Sequence, residues 1–284
     1  MDIPVYEKRG YLNEDFRLFF ITGRGLPELD YHYHEFHKIL FLKDGKAGYS
    51  VEGRHYDLEK NDIVTVPSGS VHRPEVGPGS LYSRAVLYIS PEFLKRQSTA
   101  DTRLESCFPG MGEGHVARLH GAELAGVQSI FDGLEQAERS EDFGRDVICR
   151  GLILQLAVLL ARWRMKPDNE IVGTANDGKI LEILEFINEN INADLGIDAL
   201  AERFYISKFH MMRRFRAETG YTIHGYVTNK RLLAARRMIA EGEPATSACY
   251  KCGFRDYSTF SRAYKKTFDD SPAGRGRGEG KLEK

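Results

Sequence analysis

The spacing of apolar positions divides the chain into three stretches. Over the first ~92 residues, short apolar runs recur at Phe16–Thr22, His34–Leu42, Ala47–Glu52, Asp62–Pro67 and Leu81–Ile89. Asp44-Gly45, Glu52-Gly53, Lys60-Asn61 and Gly77-Pro78-Gly79 punctuate them. Short runs broken by turn formers predict strands of an antiparallel barrel or sandwich. From Gly121 to Met165 the period becomes helical, and two helices are predicted. The second, Asp146–Arg164, places Ile148, Leu152, Leu156, Leu159 and Trp163 on one stripe. That stripe either packs against the barrel or makes a dimer contact between antiparallel helices. The second use assigns Ile148, Leu152, Leu156 and Leu159 to the interface. Lys166–Gly178, with its Pro, Asp, Asn and Gly, reads as a linker.

The third stretch predicts two helix-turn-helix units. In the first, Ile197, Leu200, Ala201 and Phe204 fall at i, i+3, i+4 and i+7. A break at Tyr205-Ile206 follows, Ser207 caps a second helix, and Gly220 ends it. Met211 and Phe215 face inward there, while Lys208, Met212, Arg213 and Arg216 share another face. In the second unit Gly253 breaks a short helix, Asp256 caps the next, and Pro272 marks its stop. Phe260, Tyr264 and Phe268 form its buried stripe, with Ser258, Arg262, Lys265 and Lys266 off it. Between the units Ile223–Ala240 predicts one helix, ~27 Å long at ~1.5 Å per residue. One turn of B-DNA is ~34–36 Å, so this helix can hold two readers in successive major-groove segments.

Charge sharpens this picture. Residues 195–277 hold 16 Lys and Arg against 8 Asp and Glu, whereas the whole chain has a formal net charge of −1. A basic block in an otherwise acidic chain is the footprint of phosphate contacts.

The strand-rich half carries different chemistry. His32-x-His34-x3-Lys38 is followed by Pro67-Ser-Gly69-x2-His72. Alternation turns His32, His34 and Lys38 toward one face, with His72 returning from a partner strand. Three imidazoles can make a facial metal site. They can equally, with the Lys38 ammonium, bond hydroxyls or a carboxylate of a small organic effector, or simply stand half-exposed. Lys38 is a poor neighbour for a cation, so the effector reading is preferred, with no metal or cofactor and no catalytic residue. His37 is expected at the surface. Arg73 and Arg84 stand near the pocket mouth, as salt-bridge or anion-binding residues.

Both halves resemble the AraC/XylS family of bacterial transcription regulators. Ser207…Arg213…Phe215-Arg216…Gly220, Arg231-Leu232…Ala235-Arg236 and Gly253-Phe254…Phe260-Ser261-Arg262…Lys265-Lys266…Ser271-Pro272 carry the resemblance in the last ~95 residues. It implies that Phe209, Met212 and Arg213 approach bases in the first reader, and Tyr257, Ser258 and Arg262 in the second. Arg216, Lys265 and Lys266 would lie along the DNA backbone. The segment around His32–His72 is similar to the cupin-like sensor that many such regulators carry, often for a sugar. Two departures stand out. Asp269 replaces a common glycine, and the chain ends in AGRGRGEGKLEK rather than a closing helix.

The expected architecture is therefore α+β and multidomain. A cupin-like antiparallel jelly roll with helices spans 1–165, a linker 166–178, and an all-α tandem helix-turn-helix domain with a glycine-rich tail 179–284. The expected partners are double-stranded DNA, a small-molecule effector, a second copy of the chain and, for an activator, RNA polymerase. No apolar run reaches ~18 residues and the start lacks a signal core, so a cytoplasmic, membrane-free protein is expected. Cys249-x2-Cys252 could begin a zinc or redox site, but its position before Gly253-Phe254 suits packing. The competing class is a cupin metalloenzyme with an accessory helical part.

Overall fold

A computed structural model describes residues 9–10, 12, 14–26, 29–110, 112–166, 173–175 and 177–273. The chain divides into two compact units, Met1–Asn176 and Asp177–Lys284.

The first unit is built from β1 (Arg9–Gly10), β2 (Phe16–Arg24), β3 (Tyr33–His34), β4 (His37–Gly45), β5 (Ala47–Val51), β6 (Arg54–Leu58), β7 (Asp62–Val66), β8 (His72–Glu75), β9 (Leu81–Ile89), β10 (Val116–Arg118) and β11 (Thr174–Ala175). One antiparallel sheet has the order β10-β7-β4-β9-β2, a second β11-β6-β5-β8, and β1 pairs with β3. Alternation explains why the central strands read as continuous apolar runs. On β4, Leu40 and Leu42 face the space between the sheets, where they join Tyr49, Val64, Tyr82, Val86 and Tyr88. Ile39 and Phe41 face outward, against Phe131, Leu134, Ile153 and Leu156 of the covering helices. A sheet covered on both faces needs apolar residues at both parities.

The covering layer is α1 (Pro91–Gln97), a 3-10 turn at Leu104–Cys107, α2 (Gly121–Arg139) and α3 (Arg145–Arg164). Ser90 caps α1, its hydroxyl accepting from Phe93 N at 3.2 Å. The α3 stripe needs correcting. Leu156 is wholly buried against the sheet and α2, so it is not available to a second chain. Leu152 and Leu159 are half-buried toward α2, because Gly133 and Gly126 there let them approach closely. Of the four predicted interface residues only Ile148 is well exposed, at 54%. The helix is apolar nearly all round, so a single stripe could not identify its outer face.

Two other expectations change. His37 is buried, its ring stacked 4.2 Å from that of Phe108 and its Nδ1 accepting from Ser68 N at 3.1 Å. The predicted linker is partly structure: Thr174 and Ala175 pair with His55 and Arg54 as an edge strand. Gly173 lies so close to Tyr56 that a Cβ there would sit 2.7 Å from its ring.

The second unit is helical: α4 (Gly178–Glu189), α5 (Ile197–Arg203), α6 (Lys208–Thr219), α7 (Ile223–Ala240), α8 (Ala245–Lys251) and α9 (Tyr257–Phe268). α4 buries Ile180, Ile183, Leu184 and Ile187, a period-3.6 stripe legible in the sequence but not among the predicted elements. Asp177 caps it, accepting from Ile180 N at 3.3 Å, and also accepts from Arg214 Nε at 2.9 Å. The second reader's core gathers on α7: Leu232 and Ala235 meet Ala248, Cys249, Cys252, Phe260, Tyr264 and Phe268. Both cysteines are buried packing residues, and burial pushes the Cys252 thiol up to about 11. Among the described residues no helix is long and apolar enough to cross a membrane. The glycine-rich tail beyond Ala273 lies outside the described residues.

Candidate DNA-reading helices and a buried polar chamber

Each reader is set by local chemistry. Ser207 begins α6 with its hydroxyl accepting from His210 N at 3.4 Å, and Gly220 ends it in the left-handed conformation. Asp256 begins α9, accepting from Thr259 N at 2.8 Å. Asp269 ends α9 at φ 52°, taking the left-handed position that glycine occupies most easily. An aspartate tolerates that region better than most side chains, so the departure from glycine still permits the cap. Thr222 starts α7, accepting from Gly225 N at 3.1 Å.

The fold sorts the basic residues into two groups. Arg231 donates to the carbonyls of Ile191 at 2.8 Å and Ala193 at 2.7 Å, Arg214 pairs with Asp177, and Arg236 lies 4.4 Å over Phe268. These hold the bundle together. Arg213, Arg216, Lys265 and Lys266 are exposed and make no ion pair with a described residue. Arg262 is exposed too, and reaches only the Ser258 carbonyl at 3.4 Å. Lys208 differs, since it pairs with Asp198. Phe209 is 83% exposed, Met212 and Tyr257 are half-buried, and Ser258 is exposed. Tyr205, which sequence reasoning placed only in a turn, is almost fully exposed at φ 49°. Apolar exposure of this kind beside unpaired arginines is costly in water and suits a surface that meets another molecule.

In the first unit His32 and His72 face each other across an antiparallel bridge, with His72 N donating to His32 O at 2.8 Å and His32 N to His72 O at 3.1 Å. His34 follows two residues on, so its ring falls on the same side. The ring centroids lie 4.4 Å (His32–His72), 4.9 Å (His34–His72) and 5.0 Å (His32–His34) apart. The Nδ1 of His72 lies 3.0 Å from the Ser70 carbonyl, and that of His32 lies 2.9 Å from the Asp30 carbonyl. A carbonyl only accepts, so each Nδ1 carries the proton and Nε2 of the neutral ring presents a lone pair. Burial lowers all three pKa values, His32 to about 4. One nitrogen from each ring lies within 4.8 Å of the others, and among the described residues this is the cluster that could hold an ion.

Lys38 enters the same chamber from β4, its Nζ 5.6 Å from the Tyr49 ring centroid. The four predicted pocket residues are thus brought together. Arg84 joins them from β9, stacked 4.1 Å over Tyr82. It is buried rather than at a pocket mouth, whereas Arg73 pairs with Glu75 at 2.9 Å. The extra positive charges oppose a further divalent cation in this space.

Residues 25–153 match the family described as the AraC-like ligand binding domain, and residues 200–274 match a helix-turn-helix domain. The chain is similar to the HTH-type transcriptional activator RhaS of Escherichia coli, 26% identical over 250 residues covering 87% of this chain and 88% of that protein. The RhaS of Yersinia pestis is 26% identical over 242 residues, covering 85% and 86%. Among solved structures, ToxT from Vibrio cholerae O395 matches at 13% identity and a TM-score of 0.37, covering 91% of this chain and 96% of that one.

Proposed function

Because the chain is a transcription regulator of the AraC type, an AraC-like ligand-binding domain followed by a helix-turn-helix DNA-binding domain, we propose that α6 and α9 read two successive major-groove segments of one duplex while the N-terminal chamber holds the effector. The observation that carries this is the pair of capped helices whose exposed Arg213 and Arg262 form no ion pair with a described residue. Arg213 and Arg262 bond guanine O6 and N7, since a guanidinium offers two parallel donors. Phe209 and Met212 touch thymine methyls, and Tyr257 and Ser258 approach bases from the second reader. Arg216, Lys265 and Lys266 lie along phosphates. Lys208 reaches DNA only by giving up Asp198. Effector bound at His32, His34, Lys38 and His72 shifts the population between two arrangements of the protein, by a coupling of about 1–3 kcal/mol. The protein works in the cytoplasm as a regulator rather than an enzyme, and meets RNA polymerase where it activates. The sensing part, expected at 1–165, also takes in the edge strand Thr174–Ala175, and the reading part opens with the Asp177 cap of α4.

Selection of random duplexes by the purified protein tests the reading model. Two enriched blocks about one helical turn apart are expected. Salt-sensitive binding without enrichment at any sequence would overturn it.

A homodimer is part of the same proposal, formed through the outer face of α3 at Val147, Ile148, Leu154 and Val158, which are exposed or only half-covered. Replacing Val147 and Ile148 together by aspartate should convert the dimer to monomer in sedimentation equilibrium without lowering the thermal midpoint by more than ~2 °C. An unchanged dimer mass would remove this face from the model.

A further inference from the structure

The space between the sheets of the first unit holds two buried cations that no carboxylate of a described residue pairs with. Lys38 on β4 and Arg84 on β9 are 7% and 6% exposed, and both share the inward parity of Leu40, Leu42, Val86 and Tyr88. Neither makes an ion pair with a described residue. Lys38 meets the face of Tyr49, and Arg84 stacks on Tyr82 and donates to its carbonyl at 3.2 Å. The Tyr49 hydroxyl is fully buried and has no hydrogen-bond partner among the described residues. The Nε2 of His72 is likewise buried and unpartnered. Folding leaves such groups in place only at considerable cost unless something else satisfies them. They ask for complementary chemistry: an acceptor bearing negative charge for Lys38, Arg84 and the Tyr49 hydroxyl, and donors for the imidazole lone pairs.

We propose that the chamber binds a small hydroxylated organic acid, its carboxylate held by Lys38, Tyr49 and Arg84 and its hydroxyls donating to Nε2 of His32 and His72. This rests on the reading of the chamber as the effector site, and names the class of effector. The arrangement separates an acid from the corresponding neutral sugar. The neutral compound leaves both cations unpaired, and buried unpaired groups reject such analogues strongly.

Titration supports the same picture. Burial and the Arg84 charge hold the Lys38 ammonium down to about 7. The groups facing it are Arg84, Tyr82 and Tyr88 on β9, Tyr49 on β5, and His32, His34 and His72. Burial lowers the imidazoles, raises Tyr82 to about 12 and raises Tyr49 as well, and Arg84 stays cationic. Between pH 7 and 9 Lys38 is therefore the group of the chamber that sheds a proton. A bound carboxylate favours its charged form, so affinity falls toward tenfold per pH unit above 7.

The test uses the full-length protein, thermal shift and calorimetry. The probes are gluconate, glucuronate, galacturonate and lactate, their neutral counterparts glucose and galactose, acetate, and zinc or nickel chloride alone. At least one hydroxy acid should raise the midpoint and bind at least 100-fold more tightly than its neutral counterpart. Lys38→Met and Lys38→Gln should abolish that binding while raising the midpoint of the empty protein, which a merely structural lysine would not do. Equal binding of an acid and its neutral counterpart would overturn the acid proposal and leave the effector reading standing. A one-equivalent shift with metal alone, lost in His72→Ala, would replace the proposal with a metal site. No shift with any probe, together with a lower midpoint in both Lys38 variants, would remove the proposal and the effector reading alike.

Discussion

Replacing Arg213 and Arg262 together by alanine is expected to lower affinity for the selected operator by about 2–6 kcal/mol, at least ~30-fold, with the fold intact. Each bidentate arginine–guanine contact discriminates by about 1–3 kcal/mol. The two side chains stand on different helices and share no partner, so their effects should add. Neither contributes to the bundle, as Arg213 has no described ion-pair partner and Arg262 makes only one long bond to the Ser258 carbonyl. Exposed substitutions of this kind change stability by less than ~0.5 kcal/mol. The selected operator and a scrambled duplex should be titrated side by side. The double variant should bind the scrambled duplex with only a modest loss. In contrast, Lys265→Ala with Lys266→Ala should weaken both duplexes alike and reduce the salt slope by about 2. Arg231→Ala should fail differently, by destabilising the unit, because it strips donors from the Ile191 and Ala193 carbonyls. If the arginine double variant lost specific and nonspecific binding equally, these two residues would be phosphate contacts and the base-reading assignment would fall.

The second large effect is expected at Gly45. Its φ is 100°, where an L side chain is strained, and a Cβ there would sit 1.8 Å from the Leu81 carbonyl oxygen. That oxygen belongs to the backbone of the neighbouring strand β9, so no side chain can move to relieve the contact. Gly45→Ala should therefore cost about 3 kcal/mol or more, combining forbidden backbone geometry with loss of the β4–β9 register. With a domain's whole stability about 5–15 kcal/mol, the first unit should be partly or wholly unfolded near body temperature. The helical unit should keep its own unfolding transition. Gly79→Ala is the control: its φ is 73° but nothing stands within 4 Å, so it should cost only about 1 kcal/mol. Two-transition thermal denaturation of both variants decides this. Equal midpoints for Gly45→Ala and the native chain would mean that this turn opens without cost.

What was legible in the sequence follows from the range of the forces involved. Ser207, Asp256, Gly220 and the span Ile223–Ala240 were read correctly because caps, glycine ends and helix period act within a few residues. α4 carried the same signal in Ile180, Ile183, Leu184 and Ile187, and went unread beside a linker-like segment. The α3 face was not legible. A helix apolar on most sides does not say which side meets its own sheet, and only the approach of Leu152 and Leu159 to Gly133 and Gly126 does. His37 was misread because alternation identifies two faces of a strand, while the packing of Phe108 onto the outer face, far along the chain, decides that this end of it is buried.

Residue order alone was enough for the two capped basic helices, the helix that connects them and a strand-rich half with closely spaced histidines. All of these are set by local hydrogen bonding and periodic burial. Which arginines are tied inside the bundle and which stay exposed follows from tertiary packing, since the partners of Arg214 and Arg231 lie 37 to 40 residues away in the chain. Tertiary packing also decided that Lys38, Tyr49 and Arg84 share a chamber with His32, His34 and His72. Face-to-face packing of the two sheets brings those six together, and burial then makes the charge of two ordinarily exposed cations costly to keep.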